Sequence, residues 1–302
     1  MSSRKLLPGV LAVGCVVVAV STAGAAATGP DLKRIALTPS DFSSTGKIAS
    51  SGYTKDSSFL LHYTRTLKGV SLGGTPLLEA QNEIGVARDT ESAALYVAGF
   101  RAAMKSPAGR KVIAQEIQKD AGLPKGALKV TFGGVTSFGL GDDSLDAAMR
   151  MSIYGLNIPI RFEFVRIDRL VGSLFVIGAP TTKLSRSAAA PVIATLTSHI
   201  RNSLLPTNLT APSINGTPQQ GQTLTASNGS WSSFTSDPPA YTIEWDRCDT
   251  TGANCTPIPA ATATTYTPTS DDSGSTLQIK VTATNDAGTS QPAQSPPSTV
   301  IN

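Results

Sequence analysis

Residues able to do chemistry are few in this 302-residue chain, and most of them fail on spacing. Gly69-Val70-Ser71-Leu72-Gly73 matches G-x-S-x-G, the pattern that holds a nucleophilic serine on a strained strand-to-helix turn. The segment after it alternates as a strand, and a triad would need His62 or His199, the two histidines of the chain. Ser71 is thus the candidate nucleophile of an exported serine hydrolase, the alternative to a non-enzymatic reading. Ser44-Thr45-Gly46-Lys47 fits S-x-x-K, which needs a helix to set the serine beside the lysine and a K-T-G element elsewhere; the sequence offers neither. Gly141-Asp142-Asp143-Ser144-Leu145-Asp146 gathers three carboxylates, but it lacks the EF-hand spacing and its closing glutamate, so it reads as a solvated turn. Asp271-Asp272 reads as turn chemistry before a strand. His62 reads as a half-buried strand residue and His199 as a helix surface or end residue. No catalytic, cofactor-binding or metal-ligating residue is assigned, and no cofactor.

The thiols are more informative. Cys248 and Cys255 flank Asp249-Thr250-Thr251-Gly252-Ala253-Asn254. Zinc would need two further ligands, and both histidines belong to the other half of the chain. A redox pair usually has C-x-x-C spacing, whereas this is C-x₆-C. A hairpin brings cross-strand neighbours to about 4.5–5.5 Å, within the Cα range of a disulfide. Gly252 and Asn254 can supply the turn.

A disulfide implies an oxidising compartment, and the N-terminus agrees. Arg4 and Lys5 precede an apolar run from Leu6 to Val20, then the small residues Ala23-Gly24-Ala25-Ala26-Ala27. That is the layout of a secretory signal peptide over residues 1–27, cleaved after Ala25 or Ala27. An uncleaved anchor is one alternative, although about 15 residues is short for a span needing roughly 20. Lipidation at Cys15 is another, since Ala12-Val13-Gly14-Cys15 resembles a lipobox, but the usual Leu is absent and the apolar run continues past the Cys. Cleavage would leave one even pair of cysteines, most simply a disulfide.

Leu205-Pro206-Thr207-Asn208-Leu209-Thr210-Ala211-Pro212 divides the rest into two modules. Residues 28–205 carry 21 Lys/Arg against 14 Asp/Glu, a net of +7; residues 206–302 carry Arg247 and Lys280 against seven acids, a net of −5. The basic residues are scattered and read as a solvated surface, with wall polymer or lipid headgroups as the anionic alternative. There is no nucleic-acid motif. Four N-x-S/T sequons, at Asn208, Asn215, Asn228 and Asn254, read as products of a Thr/Ser/Asn-rich composition.

In residues 28–205, Ser57–Leu67 and Leu77–Arg88 predict strands joined by the turn at Gly73-Gly74. Asp89-Thr90-Glu91-Ser92 starts a helix with an apolar stripe of Ala94, Leu95, Ala98 and Ala102. Pro107 opens a second helix with Val112, Ile113 and Ile117 inward, stopped by Gly122-Leu123-Pro124. Strands are predicted at 128–138, 145–154, 158–167 and 170–178, the last apolar enough to be central. A closing helix carries Ile193, Leu196, Ile200 and Leu204 on one stripe. The order predicts an α+β domain, an antiparallel sheet with covering helices. Thr38-Pro39-Ser40-Asp41-Phe42, Gly139-Leu140-Gly141-Asp142-Asp143 and the final hairpin-plus-helix resemble PsbP-like extracytoplasmic sensor and lipoprotein domains. The resemblance implies ligand binding rather than catalysis, carries over no functional residue, and leaves exposed residues of the concave sheet face to do the binding.

In residues 206–302, Tyr241, Ile243 and Trp245 alternate on one strand face, and Leu277, Ile279, Val281 and Ala283 on another. With turn clusters roughly every ten residues, this predicts an all-β sandwich of about seven strands. Pro212-x-Ile214-x-Gly216, Trp245-x-Arg247-Cys248, Thr265-Tyr266-Thr267-Pro268, Asp272-Ser273-Gly274 and Val281-Thr282-Ala283-Thr284-Asn285 to Gly288 are similar to the Ig-like repeats of bacterial exported and surface proteins. The resemblance implies an Ig-like sandwich serving as a spacer or adhesion module.

The expected whole is a monomeric, non-enzymatic bacterial protein, secreted or held at the cell surface. It would bind an envelope component, a small molecule or a protein.

Overall fold

The computed structural model describes residues 30–302 apart from 43–44, 121–123, 125 and 236. The expected signal segment with Cys15, the Ser44 of the S-x-x-K match, and Gly122-Leu123 lie outside the described residues. Two compact units divide between Ser203 and Leu204.

The first unit runs α1 (Leu32–Ile35), a 3₁₀ turn (Pro39–Phe42), β1 (Lys47–Thr54), β2 (Leu61–Lys68), β3 (Ser71–Leu72), β4 (Thr75–Val86), α2 (Thr90–Lys105), α3 (Pro107–Asp120), β5 (Leu128–Thr136), β6 (Asp143–Ile153), β7 (Leu156–Ile167), β8 (Leu170–Gly178) and α4 (Arg186–Leu204). One antiparallel sheet has the order β1-β2-β4-β8-β7-β6-β5, with β3 paired to β4. All nine positions of β8 are buried, because its two faces meet different helices. Val171, Phe175 and Ile177 join a cluster with Tyr96 and Phe100 of α2 and Ile113 and Ile117 of α3. Gly172 faces α4 so closely that a Cβ there would stand 2.7 Å from Ile200 Cδ1 and 3.1 Å from Leu196 Cδ2.

Asp89 caps α2, its carboxylate accepting the Ser92 N–H at 2.7 Å. The predicted inward stripe of α2 is wrong, however. The helix buries Ala93, Tyr96, Val97, Phe100 and Met104, and leaves Leu95 62% exposed. Aromatic burial decides the rotation: the Phe100 ring lies 4.7 Å from Phe164 and 5.5 Å from Phe162, and rings bury more surface than the alanines of the predicted stripe. In α3, Ile113 and Ile117 are buried as expected, while Val112 is 42% exposed. The stripe of α4 (Ile193, Leu196, Ile200, Leu204) is fully buried.

The second unit holds β9 (Thr207–Thr210), β10 (Ser213–Asn215), β11 (Leu224–Ser227), β12 (Ser230–Ser232), β13 (Ala240–Cys248), β14 (Thr256–Pro257), β15 (Thr265–Tyr266), a 3₁₀ turn (Ser270–Asp272), β16 (Thr276–Asn285), β17 (Gly288–Thr289) and β18 (Ala293–Gln294). Its core joins Ile243 and Trp245 of β13 to Leu277, Ile279 and Val281 of β16, with Leu224 and Ile301. Tyr241, expected on the same inward face, is 39% exposed.

The expected fold class, a helix-covered α+β domain followed by an Ig-like sandwich, is therefore corrected. The described residues are mostly β, with 42% in strands and 22% in helices. Among the described residues there are four α-helices, one of them a single turn. In the first unit the pair α2–α3 packs over β5 to β8, and β1, missed by periodicity, is exposed at seven of its eight positions. In the second unit the strands form three small antiparallel sheets, ordered β10-β11-β15, β12-β9 and β14-β13-β16-β17 with β18 on β16. The prolines explain the short pieces. Pro212, Pro257 and Pro268 each remove a ladder donor at or beside a strand of two to four residues.

Candidate functional site

On the α2–α3 side of the sheet, the strands beyond β8 change character. Directly opposed residues share a face, so the register Thr64↔Glu83 and Thr66↔Gln81 across β2–β4, with Glu83↔Ser173 and Gln81↔Phe175 across β4–β8, defines one surface. Every second residue along β2 then contributes His62, Thr64, Thr66 and Lys68, and along β4 Glu79, Gln81 and Glu83. This row of seven polar side chains continues the plane of the aromatic core. Thr64, Thr66 and Glu83 are half-buried and Lys68 is exposed, whereas His62, Glu79 and Gln81 are buried.

The row is partly wired together. The Gln81 amide donates to Glu83 Oε1 at 2.6 Å, and His62 Nε2 lies 3.8 Å from Glu83 Oε2. The other ring nitrogen of His62 is 2.7 Å from the Thr54 hydroxyl, and Phe59 stacks on the imidazole at 5.4 Å and 7°. Phe59, His62, Glu83, Gly85, Tyr96, Phe164, Val171 and Ser173 line a crevice of about 10 Å³ at this end, room for about one water. At the other end Lys68 Nζ is 3.6 Å from Glu79 Oε2, while Glu79 Oε1 is buried without a partner. Burial pushes the Glu79 carboxyl above its ordinary range, and the Lys68 charge offsets only part of that. A row with donors, acceptors and an unsatisfied buried oxygen suits a ligand bearing several hydroxyl or amide groups.

On the opposite, α4 side of the sheet, Asp146 of β6 faces Glu163 of β7. Arg161 bridges them, its Nη2 donating to Asp146 and its Nε to Glu163 at 3.0 Å, and Arg186 Nε approaches Asp146 at 3.4 Å. Glu163 is fully buried, Oε2 has no partner, and burial pushes its pKa up to about 7 against the opposing pull of Arg161.

The structure disperses most of the sequence candidates. Ser71 sits in a two-residue strand paired to Pro76 across a hairpin, not on a strand-to-helix turn. The His62 ring is held by Thr54 and Glu83, and His199 Nδ1 lies 3.1 Å from the Ile35 carbonyl. The three carboxylates of 142–146 diverge. Asp142 accepts the Asp168 N–H, Asp143 pairs with Arg101, and Asp146 meets the arginines. No group of three or more potential metal ligands converges among the described residues. Asp272 is more than a turn residue. It is buried and accepts from the Thr269 N–H, the Tyr266 hydroxyl and Arg247 Nε, each at 2.8 Å.

Cys248 and Cys255 form a disulfide with Cα atoms 4.0 Å apart. The β13–β14 register, Arg247↔Thr256, makes them the next cross-strand pair. Gly252 and Asn254 turn the loop at φ 81° and 52°. Asp249 closes it, accepting the Thr251 and Ala253 N–H groups at 2.8 and 3.0 Å. Those bonds, led by the Thr251 hydroxyl, pull its pKa down to about 2.

Sequence reasoning identified β2 and β4 but missed the polar row. The available signal was the second period-two set along each strand, which motif searches pass over.

No protein-family model matches the chain, and no curated protein matches it. Among solved structures it is similar to the crystal structure of β-1,2-glucanase from Parabacteroides distasonis, at 10% identity and a TM-score of 0.19. The match covers 86% of this chain but spans 37% of that chain's length. So low a TM-score carries no argument about fold or activity.

Proposed function

We propose that the chain is a non-enzymatic binding protein working outside the cytoplasm. Its first unit takes a polar ligand along β2 and β4, and its second unit serves as a spacer. The polar row from His62 to Lys68 and from Glu79 to Glu83 carries the reading, because half-buried hydroxyls beside the Gln81 amide on one sheet face form a ready hydrogen-bonding surface. The Cys248–Cys255 disulfide supports an oxidising compartment, as does the sequence of residues 1–27. Among the described residues no helix is long and apolar enough to cross a membrane. The test is a thermal-shift screen of the chain against soluble saccharides, polyols and amino acids, repeated with Thr66→Val/Gln81→Leu. A ligand that raises the Tm of the wild type and not of the variant supports the row. Ligands that act equally on both place binding elsewhere, and a panel that leaves the wild type unmoved favours a purely structural role.

A further inference from the structure

The hairpin joining β6 to β7 projects two apolar side chains into solvent. Its two-residue turn is Tyr154-Gly155, with φ 49° and 83°, the all-positive geometry that favours Asn-Gly. A tyrosine is a poor choice there, yet it occupies the first position and is 72% exposed; Leu156 beside it is 50% exposed. Local backbone preference therefore does not explain the residue, and neither does core packing.

Behind the tip lies a basic shelf. The register Lys129↔Ser152 and Thr131↔Arg150 puts these four residues on one face of β5 and β6. Lys129, Thr131 and Arg150 are exposed and Ser152 is half-buried. The ion pairs among the described residues use neither Lys129 nor Arg150. On β7, the residues opposite Arg150 and Ser152 are Pro159 and Asn157, which carry no charge. The next acid on this face of β6, Asp146, is held by Arg161 and Arg186. Between shelf and tip, Lys129, Ser152, Tyr154, Gly155, Gly126 and Ala127 line a groove of about 410 Å³.

We infer that this corner of the first unit docks on an anionic phospholipid surface. Tyrosine suits the headgroup level of a bilayer, where its ring is half-wet, and a neighbouring leucine suits the acyl boundary. Lys129, opposite Ser152, and Arg150 lie two and four residues back from the tip, roughly 7 and 13 Å along the strand, where they would meet lipid phosphates, the lysine stem lying along the apolar layer. A soluble anion would use the cations and the Ser152 hydroxyl but would give no role to Tyr154 or Leu156. Here positive charge of the first unit is unpaired beside the exposed ring of Tyr154, while Leu156, opposite Ile153, stands on the other face of the same hairpin tip.

The test uses the whole chain carrying Tyr154→Trp, mixed with vesicles whose acyl chains are brominated. Local quenching at position 154 separates docking of this hairpin from any contact made by the apolar run of Leu6 to Val20. Quenching beyond that of Trp231 and Trp245 in the unsubstituted chain is expected with phosphatidylglycerol-containing vesicles and not with phosphatidylcholine alone. Adding Lys129→Gln and Arg150→Gln should weaken the vesicle interaction on the order of 25-fold, about fivefold for each cation. Both cations are exposed, so the fold should survive their loss. The inference is overturned by the absence of extra quenching, by equal quenching with neutral lipid, or by indifference to the two substitutions. Release by inorganic phosphate but not by chloride at the same ionic strength would also overturn it, in favour of a small-anion site.

Discussion

Replacing Glu163 by Gln should remove a pH dependence from the stability of the first unit. The β6–β7 register sets Asp146 against Glu163, and like charges directly opposed are destabilising unless bridged. Arg161 serves both carboxylates, but Glu163 Oε2 is left buried without a partner. Unfolded, the carboxyl titrates near 4.5; folded, burial raises it to about 7. Between those values the native chain keeps a proton that the unfolded chain has released, so stability falls as pH rises. The contribution is fully present below about pH 4.5 and is lost as pH rises through about 7. At ~1.4 kcal/mol per pH unit the loss amounts to about 3 kcal/mol. Glutamine keeps the shape and a hydrogen-bonding oxygen for Arg161, and it cannot ionise. Urea denaturation from about pH 4.5 to about pH 7.5, followed by far-UV circular dichroism, measures the difference. Both tryptophans belong to the second unit, so their fluorescence would report the wrong core. The wild type should lose stability relative to Glu163→Gln across this window, and at the alkaline end the variant should be the more stable. Parallel profiles would refute the reasoning, as would a wild type that gains on the variant as pH rises, since either means that Glu163 ionises without the burial penalty.

Three further outcomes test the packing. Burial alone would raise the Asp272 carboxyl, but the Thr269 N–H, the Tyr266 hydroxyl and Arg247 outweigh it and hold it low; Asp272→Ala should cost about 3 kcal/mol in a urea melt followed by tryptophan fluorescence, and Tyr266→Phe about 1 kcal/mol. Replacing Cys248 and Cys255 by serine should cost about 2.5 kcal/mol in the same assay, the loop-closure value for so short a ring. Gly172→Val should drive its side chain into Ile200 and Leu196 and lower stability by about 1–3 kcal/mol by circular dichroism, whereas Gly74→Ala, with open space around its Cβ, should lose only the backbone preference of its φ of 79°.

What the sequence made legible follows from which forces act locally. Asp89 as a cap, Pro107 as a helix start and the apolar run of β8 depend on neighbouring residues, and each appears where the pattern put it. The rotation of α2 depends on Phe162 and Phe164, some sixty residues away in sequence, so the alanine-rich stripe misled. β1 has no buried face to write a period into Lys47–Thr54. In the second unit, the alternation of β13 and β16 was plain, but it could not say how many short strands would pair around them, nor into how many sheets. The disulfide was legible because loop length and turn residues limit it locally. The polar row was not, because a threonine on β2 and a glutamine on β4 become a surface only once register sets them side by side.

The same sheet buries polar groups on both faces, and the two sets differ in how they are closed. On the α4 side, Arg161 donates to Asp146, to Glu163 and to the Leu184 carbonyl, so its donors are largely used within the fold. A one-residue slip of β7 would turn Arg161 and Glu163 toward Phe100 and Phe175 and bring Phe162 against α4. That penalty makes the charged cluster a device for register, and it explains why an awkward carboxylate can persist in the core. The β2–β4 row has no such closure. Thr64 and Thr66 stay half-buried, Lys68 stays exposed, and Glu79 keeps an oxygen without a donor. The α4-side cluster also leaves Glu163 Oε2 without a donor, but Asp146, Arg161 and Glu163 are all sealed from solvent, whereas the row is partly open to it. Groups that stay partly open to solvent are the ones a ligand can reach, so the row, rather than the more heavily charged cluster, is where substitutions should change binding more than stability.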